Sequence, residues 1–180
     1  MWLNEKGRII AELPESLRLC SKCLMLFNDP KEAKLHAANC HPSFRQIKPL
    51  SANLSVAHVT PNSLPLERRI CERMAKISYM VCGWDAPVLR HSHWHTSRFS
   101  AQAFLLLKGH SIVSYAAVYT RPVNYVHEQT IADMYTMQAQ RRKGNMTRLY
   151  TEILKYFGAR WMDFDDPFTL DGLEFIDRIP

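Results

Sequence analysis

Residues 130–158 read TIADMYTMQAQRRKGNMTRLYTEILKYFG. The opening eight are rich in apolar and β-forming side chains, which predicts a strand over 130–137. Over 146–157, Leu149, Ile153, Leu154 and Phe157 fall on one face of an amphipathic helix, and Gly158 supplies its C-cap. Between strand and helix stand Arg141, Arg142, Lys143, Gly144, Asn145 and Met146. Three cations, a glycine and the free N–H groups of a helix start form an anion site suited to a pyrophosphate. Without further context, the same six residues also read as a solvated basic turn.

Working outward, residues 104–108 and 111–120 are apolar and rich in β-formers, and Gly109-His110 between them marks a hairpin that Pro122 ends. Upstream, Ile70, Met74, Ile77 and Val81 recur at helical spacing over 66–82. Downstream, 161–164 reads as a short strand, and Thr169 or Asp171 as the cap of a last helix reaching Ile179. The order helix, hairpin, strand, helix, strand, helix predicts a mixed sheet flanked by helices. Residues 47–65 carry three prolines and several Ser and Asn, which reads as a linker. The chain thus divides into an N-terminal segment 1–15, a Cys/His module 16–46, the linker 47–65 and a main domain 66–180.

The module has the spacing Cys20-x2-Cys23-x12-His36, followed by Cys40 and His41. Two thiolates on a tight turn and two ligands one helical turn apart can meet at a tetrahedral ion, and mixed sulfur and imidazole donors favour Zn2+. Four protein ligands leave no open position, so the ion is structural. Cys40 keeps the shorter interval and binds as a thiolate, whereas His41 is the commoner ligand type. Phe27 stands where such ββα fingers place a core aromatic.

The 180 residues, 47% hydrophobic, suffice for one domain and a small module, and no apolar run is long enough to span a membrane. Five cysteines, an odd number with one Cys-x-x-Cys pair, point to a reducing, intracellular compartment, cytoplasmic or, in a eukaryote, nuclear. A formal charge of +6 favours acidic partners, nucleic acid among them. The alternating histidines His91, His93 and His95 read as an irregular basic loop rather than a metal site, and Cys71 and Cys82 as buried thiols.

A strand leading into an R-x-x-G-x loop and a helix resembles the acetyl-CoA site of the GNAT superfamily of N-acetyltransferases. Within it, three features look like the cohesin-establishment (Eco/ESCO) family. These are the finger ahead of the domain, the basic loop at Arg141–Gly144, and the ending over 166–175, similar to S-x-P-T-x-x-G-x-x-F. The sequence departs from these patterns at Met146, where a small residue is usual, and at Phe168, which interrupts the Pro-Thr pair.

The resemblance implies a mostly antiparallel GNAT-like sheet and an acetyl-CoA-dependent N-acetyltransferase acting on a lysine or other amine, with a protein as acceptor. It implies cofactor contacts from Met134, Tyr135, Thr136, Arg141, Arg142, Lys143, Gly144, Asn145, Met146 and Thr147, and favours His41 as fourth zinc ligand. Acetyl transfer to an amine needs a base, for which Asp166 matches the family's aspartate. Asp133 is second and Glu128 third. Strand alternation sets Asp133 opposite Ala132 and Met134, so a local bulge would decide its role. Tyr135 and Tyr150 are candidates to protonate the leaving thiolate. The competing reading is an inactive GNAT-like protein whose finger and basic loop bind nucleic acid or protein. A third, acetylation of a small amine, would use the carboxylates Asp163, Asp165 and Asp166.

Overall fold

The computed structural model describes residues 18–27, 29–82, 87–123, 126–165 and 170–179. A small ββα unit comes first: β1 (Arg18–Leu19) pairs antiparallel with β2 (Leu26–Phe27), and α1 (Pro30–Asn39) follows. Asp29 caps α1 by accepting from the Lys31 N–H at 2.9 Å, and Pro30 starts the helix, where its missing N–H costs nothing. The Cys-x-x-Cys turn closes through Leu24 N–H to the Cys20 carbonyl at 2.8 Å, with Leu24 held at φ 61°. No residue of α1 is buried.

The main sheet has six strands in the order β3-β4-β5-β6-β7-β8. They are β3 (Ile47–Ser51), β4 (Leu54–Val59), β5 (Ser100–Lys108), β6 (Ser111–Val123), β7 (Val126–Thr136) and β8 (Asp163–Phe164). Every pairing is antiparallel except β7 with β8. The mostly antiparallel sheet expected for a GNAT-like domain is therefore present, with α2 (Pro65–Cys82), α3 (Asn145–Phe157) and α4 (Leu170–Ile176) around it. Among the described residues no helix is long and apolar enough to cross a membrane.

Residues 47–65 are not a linker, since they supply β3 and β4. Their prolines and polar residues misled because β3 is the outermost strand, where Pro49 removes no needed donor and four of five side chains are exposed. Nor does Pro122 end β6, which continues to Val123. Its neighbour β5 has stopped at the partner of Thr120, so Pro122 sits where β6 borders β7 alone.

Two apolar layers hold the sheet. One face packs Ala57, Ala103, Leu105 and Tyr115 against Ile70, Cys71 and Met74 of α2. The other packs Val56, Phe104, Leu106 and Val118 against Leu149, Tyr150 and Ile153 of α3. Cys20, Cys23 and Leu24 belong to the α2 layer, so the ββα unit is docked through its turn. Arg73 of α2 donates to the Cys23 carbonyl at 2.8 Å, and the Ile112 N–H to that of Ser21 at 2.9 Å.

Candidate functional site

The register of β7 changes once. Ala117 faces Asp133 while Val118 faces Ile131, so Ala132 is an extra residue, a β-bulge. Ile131 and Met134 keep to the α3 layer, whereas Ala132 and Asp133, neighbours in sequence, both lie on the α2 side. Among the described residues β7 and β8 pair only at Thr130–Asp163 and Ile131–Phe164, with Asp165 N–H donating to the Ile131 carbonyl at 2.9 Å, and no pairing continues past the bulge.

From there a cavity of about 860 Å³ opens between the end of β7, the basic loop, the start of α3, the end of α2 and α4. Met134, Tyr135, Thr136, Arg141, Arg142, Gly144, Asn145, Met146 and Thr147 line it. Of the expected contacts only Lys143 is absent from the lining, its ammonium being bound to the Ala139 carbonyl at 2.7 Å. Arg141 likewise serves the loop, donating to the Thr136 carbonyl at 3.2 Å and lying 5.3 Å over the Tyr135 ring. Asn145 ties the helix start to the Gln140 carbonyl at 2.8 Å. Arg142, at φ 58° and exposed, forms no ion pair with the described residues.

Gly144 caps α3 in the left-handed region (φ 70°) without a side chain, and a Cβ there would meet no atom within 4 Å. The first N–H groups of α3 therefore receive no cap from Gly144, at the positive end of the helix dipole. Met146 packs partly against the α3 layer and also lines the cavity. An uncapped helix start, an unpaired guanidinium and a cavity within the usual ligand range fit a pyrophosphate-bearing ligand such as acetyl-CoA. Gln140 before the basic loop, Val81 and Cys82 of α2, Gly172, Glu174 and Phe175 of α4, and Arg178 and Ile179 just past α4 complete the lining, with Arg178 and Glu174 ion-paired. Sequence reasoning missed these residues. Phe175 was legible only as part of a familiar ending, and nothing local to α2 places its last turn at a cavity.

Asp166, the first candidate base, lies outside the described residues, as does Thr169. Asp133 stands behind the cavity rather than in its lining. Its Oδ1 accepts from Ser78 Oγ at 2.9 Å, while Oδ2 is buried with no partner among the described residues. Burial raises the Asp133 carboxyl to about 7, against the opposing pull of the Ser78 hydroxyl and the Met134 N–H. Glu128 is exposed, and Asp165 pairs with Arg121 at 3.2 Å. Tyr135 lines the cavity, and burial pushes its phenol up. Tyr150 is a core residue whose oxygen accepts from the Met162 N–H at 3.3 Å.

Cys20, Cys23, His36 and Cys40 bring their ligand atoms within 4.8 Å of one another, and Cys23 Sγ lies 3.1 Å from His36 Nε2. Three thiols and an imidazole at these separations fit one Zn2+. Cys40, not the favoured His41, occupies the fourth position. Helix α1 ends at Asn39 and the backbone at Cys40 is extended (φ −86°, ψ 108°), so consecutive side chains point apart. His41 is exposed, its ring 5.9 Å from that of His110. At Cys20 burial raises the thiol, but the N–H groups of Cys23 and Lys22 outweigh it and the net direction is down. Burial, then the adjoining Cys23 and Cys20, push Cys40 up to about 12. His91–His95 forms a 3₁₀ turn in which His93 Nδ1 meets the Tyr119 hydroxyl at 2.7 Å. Among the described residues only the finger gathers three or more metal donors.

No protein-family profile matches the chain, and no curated protein matches its sequence. Solved structures do match. One is the xEco2 acetyltransferase domain bound to a K105-CoA conjugate, at 15% identity and TM-score 0.56 over 72% of this chain and 88% of that one. Another is the aminoglycoside acetyltransferase meta-AAC0020 from an uncultured soil metagenomic sample, at 17% and 0.53 over 72% and 88%. A third is a ribosomal-protein-alanine N-acetyltransferase from Brucella melitensis biovar Abortus 2308, at 14% and 0.50 over 70% and 89%. The chain thus has the fold of the GNAT acetyltransferases, preceded by a Cys3His finger.

Proposed function

We propose that the protein is an acetyl-CoA-dependent N-acetyltransferase that modifies a lysine or other amine of a protein. The observation that carries this reading is the cavity past the last described β7–β8 pair, facing the uncapped start of α3. Its resemblance to the xEco2 domain, whose bound ligand joins CoA to K105, favours a protein amine as acceptor.

In this reading the first N–H groups of α3 and the Arg142 guanidinium hold the pyrophosphate, while Met134, Tyr135 and Thr136 line the path toward the reacting end. When bound, acetyl-CoA supplies an activated acyl group as a thioester. The Tyr135 hydroxyl is a proton donor at the lining. For the base, Asp166 is the first candidate, and Asp133, whose carboxyl burial holds near neutrality, is the second.

The test is calorimetric titration of the zinc-loaded protein with acetyl-CoA. Micromolar binding is expected, weakened at least about tenfold by Arg142→Glu combined with Gly144→Asp. Absence of binding overturns the reading. A second reading, an inactive fold that only binds, is favoured by two observations: Asp133 does not line the cavity, and Glu174 there is already paired. Acetyl-CoA binding without acetylation of any amine-bearing peptide, followed by mass spectrometry, would support it.

A further inference from the structure

A second cleft, of about 290 Å³, lies between β3, β4 and the last turns of α3. Its floor is His58, a 9% exposed side chain stacked on Phe104 (centroids 4.5 Å, planes 10° apart) and flanked by Tyr156 at 4.4 Å. Nε2 of His58 donates to Gln102 Oε1 at 2.7 Å, and Nδ1 has no hydrogen-bond partner among the described residues. Burial holds this ring below the ordinary histidine range, so Nδ1 carries a lone pair and accepts. Val56, Phe104 and Tyr156 make the walls largely apolar.

The rim is basic and sticky. Lys48 and Lys155 both reach Glu152, at 2.6 and 2.7 Å, which leaves one net positive charge on two ammonium groups that are each more than half exposed. Ile47 and Tyr156 are among the large apolar side chains exposed on this molecule, and both border the cleft. Alongside runs the outer edge of β3, which no strand covers among the described residues. An open edge recruits extended chains, and a pocket beside it selects one side chain.

We propose that this cleft and the β3 edge dock an extended acidic segment of a partner protein, whose tryptophan or tyrosine inserts against His58. The indole N–H or phenol O–H supplies the donor that Nδ1 lacks, the ring fills the apolar walls, and flanking carboxylates meet Lys48 and Lys155. Nucleic acid suits the cleft poorly, because Lys48 and Lys155 share Glu152 and leave one net positive charge, too little to neutralise a run of phosphates. A second copy suits it poorly too, since two-fold pairing of β3 would bring like-charged rims together. This docking site is separate from the acetyl-transfer cavity and does not rest on that reading.

The probe is a short synthetic peptide with Val-Trp-Val flanked on both sides by glutamates, titrated into the 15N-labelled full-length protein. Binding should shift the amide signals of β3, His58 and Tyr156 and leave those of Gly144 and Thr147 in place. Replacing the tryptophan by phenylalanine should weaken binding about fivefold, and His58→Phe should do the same while keeping the stack. Lys155→Glu, an exposed change that spares the fold, should weaken it about tenfold and exchanging the peptide's glutamates for lysines should restore it. Absence of binding overturns the proposal. So does binding indifferent to both His58→Phe and Lys155→Glu, or sedimentation showing that β3 pairs with a second copy instead.

Discussion

Asp133 illustrates how one register change sets a residue's chemistry. The bulge at Ala132 turns its carboxyl into the α2 layer, where Ser78 satisfies one oxygen and nothing described satisfies the other. Its folded pKa of about 7 lies above the ordinary 3.8, so the folded state holds the proton more tightly. The contribution to stability is full below about pH 4 and is lost as pH rises to about 7, a change of up to about 4 kcal/mol. Asp133→Asn should remove that slope, so urea denaturation between pH 4 and 8 should show the variant gaining on the wild type as pH rises. Equal slopes would show that Asp133 is ionised throughout. At the finger, Cys40→Ser should weaken zinc binding at least about tenfold and His41→Ala should not, read by competition with a metallochromic chelator. The reverse result would restore His41. The sequence could not choose between these neighbours, because the choice depends on where α1 stops.

At the scale of elements, strands β5, β6 and β7 and helices α2 and α3 were legible because their apolar periods are long and their ends carry Gly109, Gly144 and Gly158. Strands β3 and β4 were not, since an edge strand needs no apolar face and β4, buried on both sides, shows no alternation. Helix α1 stands at the opposite extreme, with ordinary capping and no buried residue. A ten-residue helix without a packed face is marginal in water, so coordination through His36 and Cys40 has to hold it. Chelation of the metal should therefore remove the α1 contribution to the far-ultraviolet circular dichroism. An unchanged spectrum would mean that packing alone maintains the helix.

For the whole molecule, the decisive relation is between finger and sheet. Leu24, only 2% exposed, belongs to the same apolar layer as Ile70 and Trp94, and Arg73 grips the adjoining carbonyl. Leu24→Ala should cost about 2–4 kcal/mol and lower the main calorimetric transition by roughly 5–15 °C. A main transition left in place, with only the finger loosened, would show two independent units. By itself the sequence determined that a metal cluster precedes a mixed sheet and that a basic loop opens a strong helix, because spacing and periodicity are local properties. Only the tertiary structure decided that 47–59 completes the sheet, that Cys40 joins the cluster, that Asp133 sits behind the cavity and that α2 and α4 close it. Each of these depends on which distant residues share a layer, and a linear pattern carries no record of that.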